Sequence, residues 1–116
     1  MSDVFREHVE QGRATDYVHY KCAVELGRKC RVALDLMFDR YDVLLTPSAP
    51  GEAVAGVFPT GDAMFNRFWT LLHVPLVHLP ISMGPQGLPV GIQLVGRHGA
   101  DNKLLADAQW VRDRLD

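Results

Sequence analysis

A chain of 116 residues with 47% hydrophobic content has the size of one ordinary globular domain or of a piece of a larger one. Its formal net charge is only −2 and it has no basic run, which removes nucleic acid and anionic membrane surfaces as expected partners. No apolar stretch approaches the length of a spanning helix and MSDVFREHVEQGR has no apolar leader segment, so no membrane contact is expected and the cytoplasm is the default compartment.

In chain order, Asp3 can cap a short helix that Gly12 would end. A second helix starts near Asp16. Val18, Cys22, Leu26, Cys30, Ala33 or Leu34, Met37 and Phe38 recur at helical spacing over about seven turns, with Arg28, Lys29, Arg31, Asp35 and Asp39 mostly elsewhere. Cys22 and Cys30, eight residues apart on one helix, would lie about 12 Å apart, too far for a disulfide; they read as buried free thiols, and a zinc site lacks further ligands. Residues 42–46 read as a buried strand. Pro47, Pro50, Pro59, Gly51, Gly56 and Gly61 make 47–61 an irregular loop of a length that usually carries function.

Residues 62–73 read as a third helix, with Met64, Phe65, Phe68, Leu71 and Leu72 as its apolar side and Pro75 as its stop. PLVHLPISMGPQGLPVGIQLVG predicts two strands joined by a tight Gly-Pro-Gln-Gly turn, with Val77, Leu79, Ile81 and Val90, Ile92, Leu94 alternating. Pro80 and Pro89 should lie where a missing N–H does no harm. Asp101 can cap a last helix striped by Leu104, Leu105, Ala108, Val111 and Leu115. The order α-α-β-α-β-β-α belongs to the α/β class, and four helices beside three strands suggest a fragment of a larger sheet.

Ser48 stands between Pro47 and Pro50 without a Gly-x-Ser-x-Gly elbow or a Ser-x-x-Lys pair, so it reads as turn chemistry, not as a nucleophile. His8, His19, His73, His78 and His98 show no metal-binding spacing. On the third helix Asp62, Asn66, Thr70 and His73 fall on one stripe at about 100° per residue, with Trp69 at its edge. Such a stripe suits either a pocket wall or a solvated helix face. No catalytic residue, metal or cofactor is expected from the residues themselves.

Three phrases in order, DYVHYKCAVELGRKCRVALDLMFDRYDVLLTPSAPG, TGDAMFNRFWTLLHVPLVHLPISMGPQGLPVGIQLVG and DNKLLADAQWV, resemble the C-terminal portion of the amidase signature family over residues 14–115. Two departures stand out: His73 occupies a position where glycine is common, and His78 one where a small or amide residue is usual. Both bear on substrate choice. The resemblance implies a segment of a mixed-sheet α/β/α amidase signature fold and a parent that hydrolyses small amides with a Ser, a second Ser in a cis peptide, and a Lys. Lys21, Lys29, Lys103, Ser2, Ser48 and Ser82 match none of these, so the catalytic core is expected outside this chain and the chain alone is expected to be inactive. The family's third helix lines the substrate pocket, which makes Phe65, Asn66 and Trp69 the implied substrate contacts. FNRFW looks more like the broad-specificity amidases than the amidotransferase subunits that act on glutamine or aminoacyl-tRNA, and a stand-alone binding or assembly module is the rival from another class. A segment cut from a larger sheet should leave an open strand edge and an apolar face, so self-association is expected.

Overall fold

The structure, a computed structural model, describes residues 3–56 and 61–115. Among them the elements run α1 (Asp3–Ala14), α2 (Tyr17–Met37), β1 (Leu44–Pro47), α3 (Met64–Leu72), β2 (Leu76–Met83), β3 (Pro89–Val95) and α4 (Asp101–Arg112), in the expected order. Of the expected loop at 47–61, residues 57–60, Pro59 among them, lie outside the described residues.

The sheet is antiparallel in the order β1-β3-β2. Leu44, Val95 and Leu76 stand in register across it, and Leu45, Leu94 and Val77 form the next row. Because alternate strand residues face opposite sides, the first row points to one layer and the second to the other. Val95 packs with Leu34 of α2 and with Trp69 and Leu72 of α3. Leu94 packs with Leu79 and with Leu104 and Ala108 of α4. The central strand is thus covered on both faces, and Gln93, Leu94 and Val95 are all buried. Pro80 sits on an edge strand just before a register shift at Ser82, and Pro89 is the first residue of β3, so neither interrupts a central ladder. The turn is as expected: the Gly87 N–H donates to the Gly84 carbonyl at 3.0 Å.

Several expectations need correction. Helix α1 continues through Gly12 to Ala14, since one interior glycine costs only about 1 kcal/mol. Strand β1 is Leu44–Pro47, not 42–46. Asp16 does cap α2, accepting from the His19 N–H at 2.9 Å, but the cap position of α4 is Ala100 and Asp101 is its first helical residue. Helix α3 ends at Leu72 because His73 takes the left-handed conformation, φ 58° and ψ 37°. That geometry costs a non-glycine residue about 1–2 kcal/mol. Here Arg31 donates to the His73 ring at 3.2 Å, and the His98 ring bonds the His73 carbonyl at 2.5 Å.

The inward side of α3 also differs. Trp69 is 9% exposed and Leu72 is buried, whereas Met64 and Phe68 are half in water at 54% and 50%. Only the C-terminal half of α2 packs. Gly27 lets Leu71 approach, and Leu34 is buried, while Tyr17, Val18, Tyr20 and Leu26 are exposed, and so is the Cys22 thiol expected to be buried; Cys30 is half-buried. The radius of gyration is 17.2 Å, against about 13 Å for a closed domain of this length, and the principal extents are 50 × 41 × 18 Å. The molecule is an open slab.

Candidate functional site

Beyond Thr46 and Pro47 the first strand leaves the sheet, and the turn residues that follow bend the chain over the end of β2. A cleft of about 760 Å³ opens there, lined among others by Ser48, Glu52, Asp62, Asn66, His78 and Gly91. Ser48 Oγ and His78 Nδ1 are 2.6 Å apart, a short hydrogen bond between residues 30 positions distant in sequence. The imidazole has room because Gly91 on β3 carries no side chain: a Cβ there would meet the Leu79 carbonyl oxygen and the His78 ring. The loop itself is tied down by Glu52, whose carboxylate accepts from the Gln86 N–H at 3.0 and 3.1 Å and from the Leu88 N–H at 3.0 Å. One carboxylate thereby joins the cleft loop to the β2–β3 turn.

Of the three implied substrate contacts, Asn66 lines the cleft, Phe65 beside it is half-buried, and Trp69 packs into the core with Leu34, Leu72 and Val95. Of the polar stripe, Asp62 and Asn66 border the cleft, while His73 serves as the helix cap against Arg31 and His98. Ser48, expected as turn chemistry, has gained a histidine partner. The Nε2 of that histidine bonds no group among the described residues, so the third, orienting residue of an activated nucleophile is absent among them. Also among the described residues, no cluster of three His, Cys, Asp or Glu side chains could hold a metal ion, and no helix is long and apolar enough to cross a membrane.

Sequence reasoning missed Glu52, Gln93 and the pairing of His78. Gln93 is 3% exposed, lies in register between Thr46 and His78, and its Nε2 has no hydrogen-bond partner among the described residues. The one available signal was His78 itself, an imidazole in a mostly apolar strand.

A second concavity, about 450 Å³, lies between α2 and the segment after α3 and is lined by Arg31, Leu34, Asp35, His73 and His98, among others. Arg97 donates to both oxygens of Asp35 at 2.7 and 2.6 Å and pairs with Asp39 at 3.1 Å. The hydrogen bonds from Arg97 hold the Asp35 carboxyl below the usual carboxylate range. A folded-state pKa below the unfolded one contributes stability above about pH 3.9 that is lost as pH falls through the folded value. The melting temperature should therefore drop on acidification below about pH 4, and Arg97→Gln should shrink that drop. Thermal melts of both proteins across pH check this; equal slopes would remove Arg97 as the cause.

The amidase family model matches residues 2–105. A glutamyl-tRNA(Gln) amidotransferase subunit of Alkaliphilus metalliredigens is 30% identical over 104 residues, covering 84% of this chain and 21% of that protein. Its mitochondrial counterpart of Mus musculus is 30% identical over an alignment of 129 residues, covering 98% of this chain and 25% of that protein. Among solved structures, an amidase superposes with a TM-score of 0.76 at 31% identity, covering 100% of this chain and 29% of the other. A bacterial aryl acylamidase of the amidase signature family shares the fold, with a TM-score of 0.71 at 17% identity. The chain thus spans about a quarter of the length of the relatives it matches.

Proposed function

The chain belongs to the amidase family, and from that membership we propose that it supplies one wall of the substrate cleft of an enzyme that hydrolyses the C–N bond of small amides. The observation that carries this is the cleft beside β1, where Ser48, Asn66 and His78 converge at the end of a sheet whose two faces are packed. Polar groups that converge on a concave, partly apolar surface orient a ligand. Asn66 is the contacting amide, with Phe65 beside it on α3 and Trp69 anchoring that helix to the core. The nucleophile and its base come from a portion of the enzyme outside these 116 residues.

Titration of the isotope-labelled chain with benzamide tests this. Backbone signals of Ser48, Asn66 and His78 should shift, and those of α1 should not. No shift at these positions would remove the cleft as the amide site. A second reading, a segment of an amidotransferase, is favoured by the 30% identity to the glutamyl-tRNA(Gln) amidotransferase relatives over most of the chain. Glutamine shifting the same signals at lower concentration than benzamide would select it.

The 116-residue chain alone should show no hydrolysis of aryl or aliphatic amides above background, because binding without a positioned nucleophile and base does not lower the barrier. Turnover abolished by Ser48→Ala would overturn this and make the Ser48–His78 pair catalytic.

The open slab carries a further expectation about partners. Among the described residues β1 and β2 each pair only with β3, so both outer edges present unpaired N–H and C=O groups. Leu45 on β1, Ile81 and Met83 on β2, and the exposed apolar residues of α2 add uncovered surface. Apart from the rest of an amidase fold, the chain should associate with itself as a two-fold dimer, burying the same surface twice. Sedimentation at micromolar concentration checks this, and a monomer unaffected by concentration would favour a stand-alone module.

A further inference from the structure

We infer that Ser48 and His78 form a proton-switched recognition pair, which lets the cleft take the N–H of a carboxamide when the imidazole is neutral and a carboxylate when it is protonated. This rests on the cleft being the amide site. Ser48 Oγ lines the cleft and stands 2.6 Å from His78 Nδ1, so one hydrogen lies between them in either state. In the neutral tautomer that carries its hydrogen on Nε2, Nδ1 is the acceptor and the hydroxyl donates to it. The lone pairs of Oγ then face the cleft and accept from an N–H. When solvent protonates the ring, Nδ1–H donates to Oγ instead. The hydroxyl hydrogen is released into the cleft, where it can donate to a carboxylate beside a positive charge.

The surroundings sharpen the contrast. Glu52 and Asp62 are the other ionisable groups lining the cleft; α3 contributes the neutral Asn66, and β3 contributes Gly91. Glu52 is occupied by the Gln86 and Leu88 amides but still adds negative charge, as does Asp62. With a neutral imidazole the cleft is acidic and accepting, suited to an amide substrate and hostile to the carboxylate left after hydrolysis. Protonation reverses the preference, so acid retains the product.

The test measures dissociation constants of benzamide and benzoate for the full 116-residue chain at pH 5.5 and 8, following the Ser48 and His78 signals. The preference for benzoate over benzamide should rise about tenfold or more at the lower pH, the gain from one charge-assisted hydrogen bond. His78→Gln should remove the dependence, and Ser48→Ala should leave only the smaller part that comes from the charge on the imidazole. In the unliganded chain the Ser48 and His78 signals should also titrate with one midpoint, a readout that needs no variant. Benzamide binding with an unchanged preference, a dependence that survives His78→Gln, or separate midpoints would overturn the switch and leave the cleft assignment intact. If neither ligand shifts any cleft signal, the cleft assignment falls and the switch falls with it.

Discussion

Trp69→Ala should destabilise the fold by about 3–5 kcal/mol, the usual loss when a buried aromatic is cut back to a methyl group. The indole joins α3 to Leu34 of α2 and Val95 of β3. Global stabilities of single domains are only about 5–15 kcal/mol, and an open slab buries less than a closed domain of its length. Urea titration followed by tyrosine fluorescence or circular dichroism should show the midpoint collapse, or no cooperative transition at all. Phe68→Ala makes the comparison: its ring touches Trp69 edge-on at 5.1 Å between centroids but is half exposed, so its loss should be much smaller. Equal effects from both substitutions would show that Trp69 is not the anchor of this layer.

Gly91→Ala should cost about 1–3 kcal/mol and disrupt the cleft at the same time. The added methyl group would collide with the Leu79 carbonyl oxygen, which is backbone and can yield only by parting β2 from β3. It would also strike the His78 ring and push it from Ser48. The expected result is a lower urea midpoint together with loss of the chemical-shift link between Ser48 and His78. Gly12→Ala gives the opposite sign. That position lies inside α1 with nothing within 4 Å, so alanine should stabilise by about 0.5–1 kcal/mol. An unaffected midpoint in Gly91→Ala would mean that the strands can part there without loss.

The order of all seven elements was legible in the sequence, because it depends on interactions between near neighbours. A 3.6-residue apolar period marks α2, a two-residue period marks β2 and β3, Gly84–Gly87 closes their turn, and Asp16 stops the backbone of α2 from fraying. Family membership was legible for the same reason, since its phrases are contiguous. What the sequence misplaced was which way α3 faces. Periodicity points Met64, Phe65, Phe68, Leu71 and Leu72 inward with Trp69 at the polar edge, and only packing against Leu34 and Val95 turns Trp69 inward and leaves Met64 and Phe68 half exposed. The cleft was equally hidden. Ser48 meets His78 across 30 residues, Glu52 meets Gln86 across 34 and Arg97 meets Asp35 across 62. Each of these contacts depends on the register of β3 between its neighbours. A shift of one residue would send His78 to the opposite face, so the tertiary pairing alone decides that Ser48 has a partner.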